Sequence, residues 1–550
     1  MIRNTERESL LTSQNKRHKK YFKYGLKYIL TTVLVFFTFL HIWYPDVISE
    51  SLHWNSHAKK KNVIFFVTDG MGPASLSLTR SYRQYVQGLD IDDILELDRH
   101  LIGSSRTRSY NSLVTDSSAG ATAFSCGMKT YNSGTGVGPD KTPCGTLLEA
   151  AKLKGYLTGL VVTTRLTDAT PAAFSSHVDY RFQEDQIAEQ QLGNYPLGRM
   201  VDLMMGGGRT HFYPSGTNDP RYGCRGLRQD DRNLIEEAIE NGWQYAGNRN
   251  DFDDLKMGKN VTLPLLGLFA DFDIPFEIDR SDKEYPSLEE QTITALTALN
   301  DASKHSDKGF FIMIEGSRID HAGHQNDPAA QVREVMAFDK AFKAALEFAK
   351  KSDTETVIIS TSDHETGGLV TARQVTVSYP EYVWYPEVLF NSKHSGEYLK
   401  HKIANYKGND KKRFIEKEVF EKIMNIGDYS DSDVEDLSNM TNVEDIQYKL
   451  NDMISFRAQI GWSTHGHSAV DVNIYAYSNR PKSWQYLLSK LQGNHENIEI
   501  GHFMRDYLEL DLEEVTKRIK DTDHSPRKQG NIYIDEYHPA STVGILLNYS

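Results

Sequence analysis

The stretch "GFFIMIEGSRIDHAGHQND" (residues 309–327) changes within a few residues from an apolar strand into acidic and histidine side chains. Burying such groups is costly unless they are paired, and a metal ion suits a mixture of carboxylates and imidazoles. A solvated loop after a strand is the competing interpretation. The metal interpretation holds only if the rest of the chain supplies matching ligands.

Three further runs follow the same plan, with an apolar strand that ends in acidic, hydroxyl or histidine residues. They are "KNVIFFVTDGMG" (61–72), "YLTGLVVTTRLTDATP" (156–171) and "TVIISTSDHE" (356–365). Helical patterns such as "AAQVREVMAFDKAFKAALEFAKK" (329–351) lie between them. Apolar strands that alternate with helices indicate a parallel sheet covered on both faces, and ligands bind beyond the carboxyl ends of such strands. The sequence therefore predicts an α/β fold with a central, mostly parallel sheet flanked by helices on both faces.

The composition is that of a soluble globular body, because 39% of the 550 residues are hydrophobic and 25% are charged. The formal net charge of -13 argues against a nucleic-acid-binding surface, since phosphate backbones would be repelled. An acidic body does not attract anionic substrates either. Any phosphate site therefore needs local positive charge from metal ions or arginine.

The three cysteines, Cys126, Cys144 and Cys224, fit neither a zinc ribbon nor a disulfide scaffold. They allow at most one intramolecular bridge. Cys126 lies in the apolar stretch "AFSCGM", which indicates a buried position. We therefore predict a bridge between Cys144 and Cys224.

The uncharged run at 28–44 follows a basic flank and has aromatic residues at both edges. About 17 residues is the short end of what spans a bilayer. The lysines and arginines precede the run, so the positive-inside rule predicts a single-pass type II membrane protein. Its parts are a cytosolic tail at 1–27, a transmembrane signal anchor at 28–44 and a linker at 45–60. A cleaved signal peptide is the competing interpretation, but no small-x-small cleavage motif follows the run.

The rest of the chain is then expected on the lumenal or extracellular side. Acceptor sequons at Asn260, Asn439 and Asn548 are compatible with N-glycosylation on that side. In the tail, "ERESLL" (6–11) resembles an acidic dileucine sorting signal, which predicts delivery to a vacuole-like or lysosome-like membrane. Its candidate contacts with a sorting adaptor are Glu6, Leu10 and Leu11.

The body of the chain is predicted to be one catalytic domain at 61–510, followed by a C-terminal extension at 511–550. Roughly 100 residues rich in tyrosine and charge separate "SDHE" from the late motif "GWSTHGHSAVDV", which is too long for a plain connection. We expect an inserted, crown-like subdomain at about 370–460, above the site.

Ser117 follows Asp116 in "VTDSSAGATAFSCG", where a run of small residues indicates the start of a helix. A serine at this position caps the helix in the simplest interpretation. Alternatively it is a nucleophile whose developing negative charge the helix end and a metal ion stabilise. No G-x-S-x-G motif or obvious histidine base is nearby, so a metal ion would have to activate this serine.

Other polar positions complete a candidate constellation at the strand ends. Asp69 ends the first run, and its carboxylate can bridge two cations. Further candidates in three later motifs are Asp168, Thr170, Arg181, Asp363, His364, His465 and His467. With the residues of the opening stretch, these carboxylates and histidines suffice for two zinc sites and one all-oxygen magnesium site.

Six motifs occur in the order expected for the alkaline phosphatase family: "DGMG", "TDSSAGATA", "DATPAAFSSHVDYR", "EGSRIDHAGH", "SDHETGG" and "HGHSAVDV". Over about residues 61–480 the chain resembles that family, and the six motifs together are highly specific. The resemblance implies an alkaline-phosphatase-like fold, two Zn²⁺ and one Mg²⁺ as cofactors, and a homodimer.

The resemblance also implies a role for each candidate residue. Ser117 becomes a phosphoserine and Arg181 grips the phosphate. The ligands of the first zinc are Asp320, His324 and His467. The ligands of the second zinc are Asp69, Asp363 and His364. The ligands of magnesium are Asp69, Thr170 and Glu315. Asp168 and His321 contact phosphate indirectly. His465 is an alternative to His467, although the spacing from His467 to Asp471 matches the family better.

The expected function is metal-dependent hydrolysis of phosphate monoesters with broad specificity. A related metal-dependent phosphodiesterase or sulfatase is one alternative, because it could use the same sheet and zinc ligands. A catalytically inactive membrane glycoprotein is the other. Intact metal ligands argue against the inactive glycoprotein, and the pairing of the Ser117 context with Arg181 argues against the other enzymes.

Overall fold

The structure is a computed structural model, and it describes residues 60–521 apart from 220, 222 and 223. Its strands β1 to β14 are, in chain order, Lys61–Val67, Leu101–Arg106, Leu157–Arg165, Leu203–Gly207, Asn218–Asp219, Cys224–Arg225, Gln244–Ala246, Leu265–Leu268, Phe310–Glu315, Glu355–Thr361, Glu365–Thr366, His467–Ser468, Val472–Ser478 and Gly493–Glu496.

The α-helices in the described residues are Pro73–Gln87, Ser117–Cys126, Leu147–Leu153, Ala169–Ser175, Glu184–Gln191, Leu234–Glu240, Arg249–Asp254, Leu288–Ala302, Arg318–His324, Pro328–Lys351, Pro386–Asn391, Gly396–Ala404, Lys411–Phe414, Asp431–Asn439, Val443–Ala458, Pro481–Leu491, Asn497–Leu508 and Leu512–Ile519. A π-helix covers Ile415–Met424. Short 3-10 turns cover Leu97–His100, Arg209–Phe212 and Lys256–Gly258.

Ten of the described strands form one sheet in the order β14-β2-β13-β10-β1-β9-β3-β4-β8-β7. Neighbours pair in parallel except at β13, which runs antiparallel to both β10 and β2. The four strands predicted from apolar runs are β10, β1, β9 and β3, and they lie side by side at the centre. The predicted α/β architecture is confirmed, with β13 making the sheet a mixed one.

Alternate residues of β1 face two apolar cores, one on each side of the sheet. Phe65 packs edge-on against Phe124, with ring centroids 5.4 Å apart. Phe66 packs edge-on against Phe338 in the other core, also at 5.4 Å. Both partners lie on helices, so helices cover both faces. Burial of both faces explains why the strand is an unbroken apolar run.

Helices fill the stretch between β10 and β13 that was predicted to hold an insertion. They pack around an apolar cluster that includes Leu389, Phe420 and Leu450. Leu78 on the helix Pro73–Gln87 belongs to the same cluster, which ties these helices to the sheet domain. The stretch therefore packs around a third apolar core, which it shares with a helix of the sheet domain.

The helix Leu512–Ile519 lies beyond the predicted end of the catalytic domain at 510 and packs against the sheet domain. Val515 and Ile519 are fully buried in one of its cores. The hydroxyl of Thr516 accepts a hydrogen bond of 2.8 Å from the backbone N–H of Gly145. This first part of the predicted C-terminal extension is thus integral to the fold.

The predicted disulfide between Cys144 and Cys224 is wrong. Cys126 and Cys144 form the bridge, with their Cα atoms 5.9 Å apart, and Cys224 is a buried free thiol. Cys126 is the last residue of its helix, and Gly127 follows it in the left-handed conformation. The chain turns away there, so Cys126 is partly exposed rather than packed in the interior.

No helix within the described residues has the length and apolar character needed to cross a bilayer. The predicted transmembrane segment at 28–44, the tail at 1–27 and the sequon at Asn548 lie outside those residues. Asn260 and Asn439, the other two sequon residues, are exposed.

Candidate active site

The register of the central strands brings three acidic residues to one edge of the sheet. Val67, the last residue of β1, pairs with Glu315 of β9 on one side and with Thr361 of β10 on the other. Asp69 and Asp363 follow two residues after these paired positions. Parallel strands in this register end at the same level, so the three carboxylates meet although they are far apart in sequence.

Two glycines allow the surrounding backbone to approach this edge closely. Gly70 has a φ of +77°, and a Cβ atom there would lie 2.5 Å from the Cα of Asp320. A Cβ atom on Gly120 would lie 2.8 Å from the Cβ of Asp363. Residues with side chains at these two positions would push the elements apart. The small residues of "DGMG" and "SSAGATA" therefore have a steric role in closing the site.

Ser117 is the first residue of the helix Ser117–Cys126 and is buried. Asp116 caps this helix by accepting a hydrogen bond of 3.0 Å from the backbone N–H of Ala119. Because Asp116 is the cap, the hydroxyl of Ser117 is free to face the site. Its Oγ lies 3.1 Å from Nε2 of His364.

Asp320, His324 and His467 converge on one point. The helix Arg318–His324 places Asp320 and His324 one turn apart, with His324 Nε2 3.3 Å from an oxygen of Asp320. His467 Nε2 lies 3.6 Å from the other oxygen of Asp320 and 3.1 Å from His324 Nε2. The residues predicted to hold the first zinc are therefore brought together.

The other ring nitrogen of each histidine shows which nitrogen carries the proton. Nδ1 of His467 lies 2.7 Å from the carbonyl oxygen of Thr115, and Nδ1 of His324 contacts the carbonyl oxygen of His465. A carbonyl can only accept, so both Nδ1 atoms donate. Both Nε2 atoms are thereby directed into the cluster, which is the orientation of metal-ligating histidines.

His465 points away from this convergence. Its Nδ1 lies 2.8 Å from the carbonyl oxygen of His324, and its ring stacks on Tyr448 at a centroid distance of 4.0 Å. Because both features hold its ring outside the cluster, the geometry favours His467 over His465 as the ligand.

Asp69, Asp363 and His364 form the second convergence. His364 Nε2 lies 3.5 Å from Asp69 Oδ1 and 3.2 Å from Asp363 Oδ2. Both oxygens are buried, and neither has a hydrogen-bond partner among the described residues. Buried carboxylate oxygens without partners are costly, so their environment is suited to a cation.

Donor atoms within 4.8 Å of one another form two triads in the described residues: Asp320 with His364 and His467, and Asp69 with Asp363 and His364. His364 belongs to both and so lies between them. The two triads together with His324 are named the metal-facing cluster, which consists of Asp69, Asp320, His324, Asp363, His364 and His467.

Thr170 and Glu315 extend this cluster with oxygen atoms. The hydroxyl of Thr170 lies 3.5 Å from Asp69 Oδ2 and also hydrogen-bonds Glu315. The hydroxyl of Ser317 donates to Glu315 across 2.7 Å. Asp69, Thr170 and Glu315 thus supply carboxylate and hydroxyl oxygens, which are the hard ligands that Mg²⁺ prefers.

The electrostatics of the metal-facing cluster show a deficit of positive charge. Burial raises the pKa of Asp69 well above its ordinary value, and neighbouring carboxylates, first among them Asp363, raise it further. Burial also raises the pKa of Glu315 to about 8. Burial lowers the pKa of His467 well below its ordinary value, and two neighbouring imidazoles lower it further. A bound cation would favour the ionised carboxylates of Asp69 and Glu315, and it would keep His467 in the neutral form that can ligate a metal.

Arg181, Asp168 and His321 lie beside this cluster. The guanidinium of Arg181 donates to Asp168 Oδ1 across 2.9 Å, and its other terminal nitrogen lies 3.6 Å from Asp116. His321 Nε2 lies 4.0 Å from Asp168 Oδ2. The three predicted phosphate-contacting residues are therefore neighbours.

Sequence reasoning missed Thr366. Its hydroxyl donates to Asp320 and lies 3.1 Å from Nδ1 of His364. With the hydroxyl proton directed at Asp320, the oxygen is placed to accept from Nδ1–H of His364, which directs Nε2 toward Ser117, Asp69 and Asp363. The position of Thr366 one residue after "SDHE" was the available signal.

Arg165 and Asp273 were also missed. Arg165 ends β3 and donates to Asp273 across 2.9 Å, and Asp273 lies 3.3 Å from Nδ1 of His321. The third apolar run contains Arg165, but nothing in "ADFDIPFEID" distinguishes Asp273 from an ordinary loop residue.

Comparison with known proteins agrees with this geometry. Residues 60–510 match the family model described as alkaline phosphatase. The chain is 62% identical over 527 residues to the repressible alkaline phosphatase of Saccharomyces cerevisiae, covering 93% of each protein. It is 48% identical over 472 residues to an alkaline phosphatase of Schizosaccharomyces pombe, covering 85% of this chain and 84% of that protein.

Among solved structures, the alkaline phosphatase of Thermus thermophilus matches with a TM-score of 0.67 at 27% identity. The match covers 84% of this chain and 96% of that one. The family match extends over most of the chain and includes every strand of the central sheet. The chain belongs to the alkaline phosphatase family, whose members hydrolyse phosphate monoesters.

Proposed function

We propose that this protein hydrolyses phosphate monoesters with broad specificity through a phosphoserine on Ser117, at a site with two Zn²⁺ and one Mg²⁺. The observation that carries the proposal is the pair of facing Nε2 atoms of His324 and His467, 3.1 Å apart. Two ring nitrogens at that distance share a cation, either a proton or a metal ion, and the buried carboxylate of Asp320 beside both of them suits a metal ion. Ser117 lies beside the same cluster, 3.1 Å from His364.

The donor sets fit the proposed ions. One zinc would be held by Asp320, His324 and His467. The other would be held by Asp69, Asp363 and His364. Zinc accepts this mixture of nitrogen and carboxylate ligands. Asp69, Thr170 and Glu315 offer oxygens alone, which suit Mg²⁺.

A relative supports the assignment of magnesium. A variant of the alkaline phosphatase from the Antarctic bacterium TAB5 was solved with Mg bound in its M3 site. It is 26% identical to this chain, with a TM-score of 0.54, and the match covers 82% of this chain and 99% of that one. A magnesium site within the same fold agrees with the oxygen ligands found here.

The side chains of this protein then have distinct tasks. Ser117 Oγ gives up its proton and attacks the phosphorus atom, the bond from phosphorus to the alcohol oxygen breaks, and the departing alkoxide takes up a proton to leave as the alcohol. Water next attacks the phosphoserine, which releases inorganic phosphate and restores the hydroxyl. Arg181 holds two phosphate oxygens through parallel N–H bonds. When bound, the zinc ions supply the positive charge that favours an ionised serine hydroxyl and stabilises charge on the departing oxygen.

Two measurements on the purified protein without its N-terminal 59 residues test this proposal. Metal analysis should find about two zinc and one magnesium per chain. Hydrolysis of 4-nitrophenyl phosphate should far exceed hydrolysis of bis(4-nitrophenyl) phosphate. Preference for the diester would favour the phosphodiesterase alternative, and hydrolysis of a sulfate ester would favour the sulfatase. Absence of bound zinc together with absence of hydrolysis would favour the inactive glycoprotein.

We also propose that the chain is anchored by the segment 28–44, with its catalytic domain in the lumen of a vacuole-like compartment. The basic flank and the dileucine-like tail support this orientation and destination. Protease added to sealed membranes should trim only the tail, and the body should be cut only after detergent is added. Loss of the whole body without detergent would show that the orientation is the reverse of the one proposed.

The sorting signal is tested separately. Replacing Leu10 and Leu11 by alanine should slow or reroute delivery and leave catalysis unchanged.

A homodimer is proposed from the family resemblance. Sedimentation of the purified catalytic domain should give about twice the mass of one chain.

Glycosylation is tested separately, by treating the protein with an endoglycosidase and measuring the loss of mass. If Asn260 and Asn439 are both modified, replacing either residue should lower the mass of the untreated protein by one glycan. If the endoglycosidase does not change the mass of the protein, the proposal that these residues are glycosylated is contradicted.

A further inference from the structure

Arg165 lies at the centre of a second group of buried charges, next to the metal-facing cluster. Its side chain is only 6% exposed. One nitrogen donates to Glu184 across 2.9 Å, a second donates to Asp273 across 2.9 Å, and the third lies 3.1 Å from Asp168 Oδ2. These four residues, Arg165, Asp168, Glu184 and Asp273, are named the arginine-centred cluster.

Two of these carboxylates use their second oxygen for another side chain. Asp168 Oδ1 accepts a hydrogen bond of 2.9 Å from Arg181. Asp273 Oδ2 lies 3.3 Å from Nδ1 of His321, and Nε of Arg318 approaches the same nitrogen at 3.4 Å. Arg165 thus contacts one oxygen of each carboxylate, and the opposite oxygen contacts Arg181 in one case and His321 in the other. The two branches therefore start from one guanidinium and end on the two residues proposed to contact phosphate.

The surroundings of Arg165 hold this arrangement in one geometry. The guanidinium lies over the ring of Phe272, 4.1 Å from its centroid. The backbone N–H of Arg165 also donates to Asp273 across 3.0 Å. The hydroxyl of Thr167 donates to the same oxygen of Glu184 that accepts from Arg165, which fixes this carboxylate as well.

The carboxylates of the arginine-centred cluster contact a guanidinium, unlike Asp69 and Asp363 in the neighbouring metal-facing cluster. Burial opposes ionisation of Asp168, but Arg165 and Arg181 outweigh it and keep its pKa below the ordinary value. Burial likewise opposes ionisation of Asp273, and Arg165 and His321 hold its pKa well below the ordinary range. Both carboxylates are therefore anions, able to orient the cationic and imidazole groups that they contact.

We infer that Arg165 is a positioning residue for phosphate binding, which sets Arg181 through Asp168 and His321 through Asp273. This inference rests on the proposed function, since it assumes that Arg181 and His321 contact the phosphate. Arg165 itself acts only through the two carboxylates. Its planar fork can serve three carboxylates at once, whereas the single ammonium of lysine cannot keep all these contacts.

The test compares Arg165→Met and Arg165→Lys with the wild type, using inorganic phosphate as a competitive inhibitor of 4-nitrophenyl phosphate hydrolysis. Arg165→Met should weaken phosphate inhibition and raise KM by about tenfold, with kcat changed less. Arg165→Lys should give an intermediate loss. Zinc content should stay at the wild-type level in both, because no zinc ligand is altered.

Arg228→Met is the matched control. Arg228 is fully buried and pairs with Glu189 and Asp230, which are not members of the arginine-centred cluster. It should leave phosphate inhibition within about twofold of wild type. An equal loss of phosphate inhibition in this control would show that Arg165→Met acts through general destabilisation, which overturns the inference.

A double-mutant cycle separates positioning from a purely structural role. In an Arg181→Ala, His321→Ala background the two end points of the branches are gone, so Arg165→Met should have little further effect on phosphate inhibition. Undiminished, additive loss in that background would overturn the inference. Asp273→Asn tests one branch alone and should have no effect once His321 is alanine. If Arg165→Met does not fold, this second cycle still tests whether Asp273 positions His321.

Failure of this inference can be distinguished from failure of the proposed function. A wild-type protein that contains zinc and hydrolyses the monoester, combined with unchanged phosphate inhibition in Arg165→Met, would refute the positioning role alone. A wild-type protein with neither zinc nor activity would instead refute the function on which the role depends.

Discussion

The metal-facing cluster and the arginine-centred cluster lie side by side at the carboxyl edge of one sheet, and both bury several carboxylates. In the arginine-centred cluster every carboxylate contacts the guanidinium of Arg165 within 3.1 Å. In the metal-facing cluster, Asp69 and Asp363 each keep a buried oxygen without a hydrogen-bond partner among the described residues.

The pKa directions of Asp168, Asp273 and Asp69 follow the same division, whereas in the metal-facing cluster His324 and His467 outweigh burial and hold the pKa of Asp320 well below its ordinary value. Arg165 contributes to a pKa below the ordinary value for Asp168 and Asp273, against the effect of burial. Burial and neighbouring carboxylates raise the pKa of Asp69 instead. Carboxylates at one sheet edge therefore differ in the source of the positive charge that neutralises them. One cluster contains its cation as a side chain, and the other is suited to ions from solution.

The largest effect is expected from removing the nucleophile without changing either cluster. Ser117→Ala should lower kcat/KM at least about 10³-fold, because the covalent intermediate can no longer form. Zinc content should stay near that of the wild type, since Ser117 is not a predicted ligand. Mass spectrometry of acid-quenched protein with substrate should show a phosphorylated peptide containing residue 117 only in the wild type. A phosphoenzyme on another residue in the mutant would contradict the assignment.

Removal of the metal ions by chelation should have the next largest effect on activity, and it should act on the metal-facing cluster alone. Dialysis against a chelator should remove the ions from the metal-facing cluster and lower activity on the order of 10³-fold, because Ser117 then lacks an activating charge. Zinc and magnesium together should restore activity, whereas magnesium alone should not. Metal content and activity are followed on the same samples. Full activity in protein shown to contain no zinc would refute the proposal that the metal-facing cluster needs bound ions for activity.

Asp168 lies at the border between the clusters, and its replacement tests both. In Asp168→His, an imidazole replaces a carboxylate near the proposed magnesium ligands, which favours zinc over magnesium there. Activity without added magnesium should fall by about 10–100-fold, and excess magnesium should restore much of it.

Asp168→Asn is the control for this change, because it removes the charge and offers no imidazole. It should weaken magnesium binding and show no gain in zinc. Metal competition assays measure both variants. Equal magnesium affinity in wild type and Asp168→His would remove the basis for placing Asp168 near that ion.

The smallest effect is expected at Thr366, which supports the metal-facing cluster from outside. Thr366→Val removes the acceptor for Nδ1–H of His364 and the donor to Asp320, so zinc retention should weaken by about tenfold. Thr366→Ser keeps the hydroxyl and should behave like the wild type. Zinc loss against a competing chelator measures both. Equal retention in Thr366→Val would show that the histidine needs no such support.

Local sequence patterns were sufficient for the centre of the fold. Each of the four apolar runs forms a strand, and the strands lie adjacent, because residues buried on both faces must be apolar without interruption. Flanking strands such as β2, β4 and β14 were not predicted. They are short or contain glycine, serine and charged residues, so no clear pattern marks them in the sequence.

The strand-end rule also explains how much of the candidate site was visible in sequence. Asp69, Glu315 and Asp363 end or follow apolar strands, and a parallel sheet brings such positions together whatever their separation along the chain. Their roles as metal ligands remain predictions, as do the anchor, the sorting signal and the dimer. Within the site, the geometry has favoured His467 over His465.

The sequence by itself determined the fold class and the side chains gathered at the sheet edge, because both follow from local apolar patterns and one topological rule. Only the tertiary structure decided the partners of individual groups: Cys144 for Cys126, Thr366 for His364 and Arg165 for Asp273. Such pairs depend on where turns send the chain and on which atoms meet within a few ångströms. That information is spread over hundreds of intervening residues, so no local pattern records it.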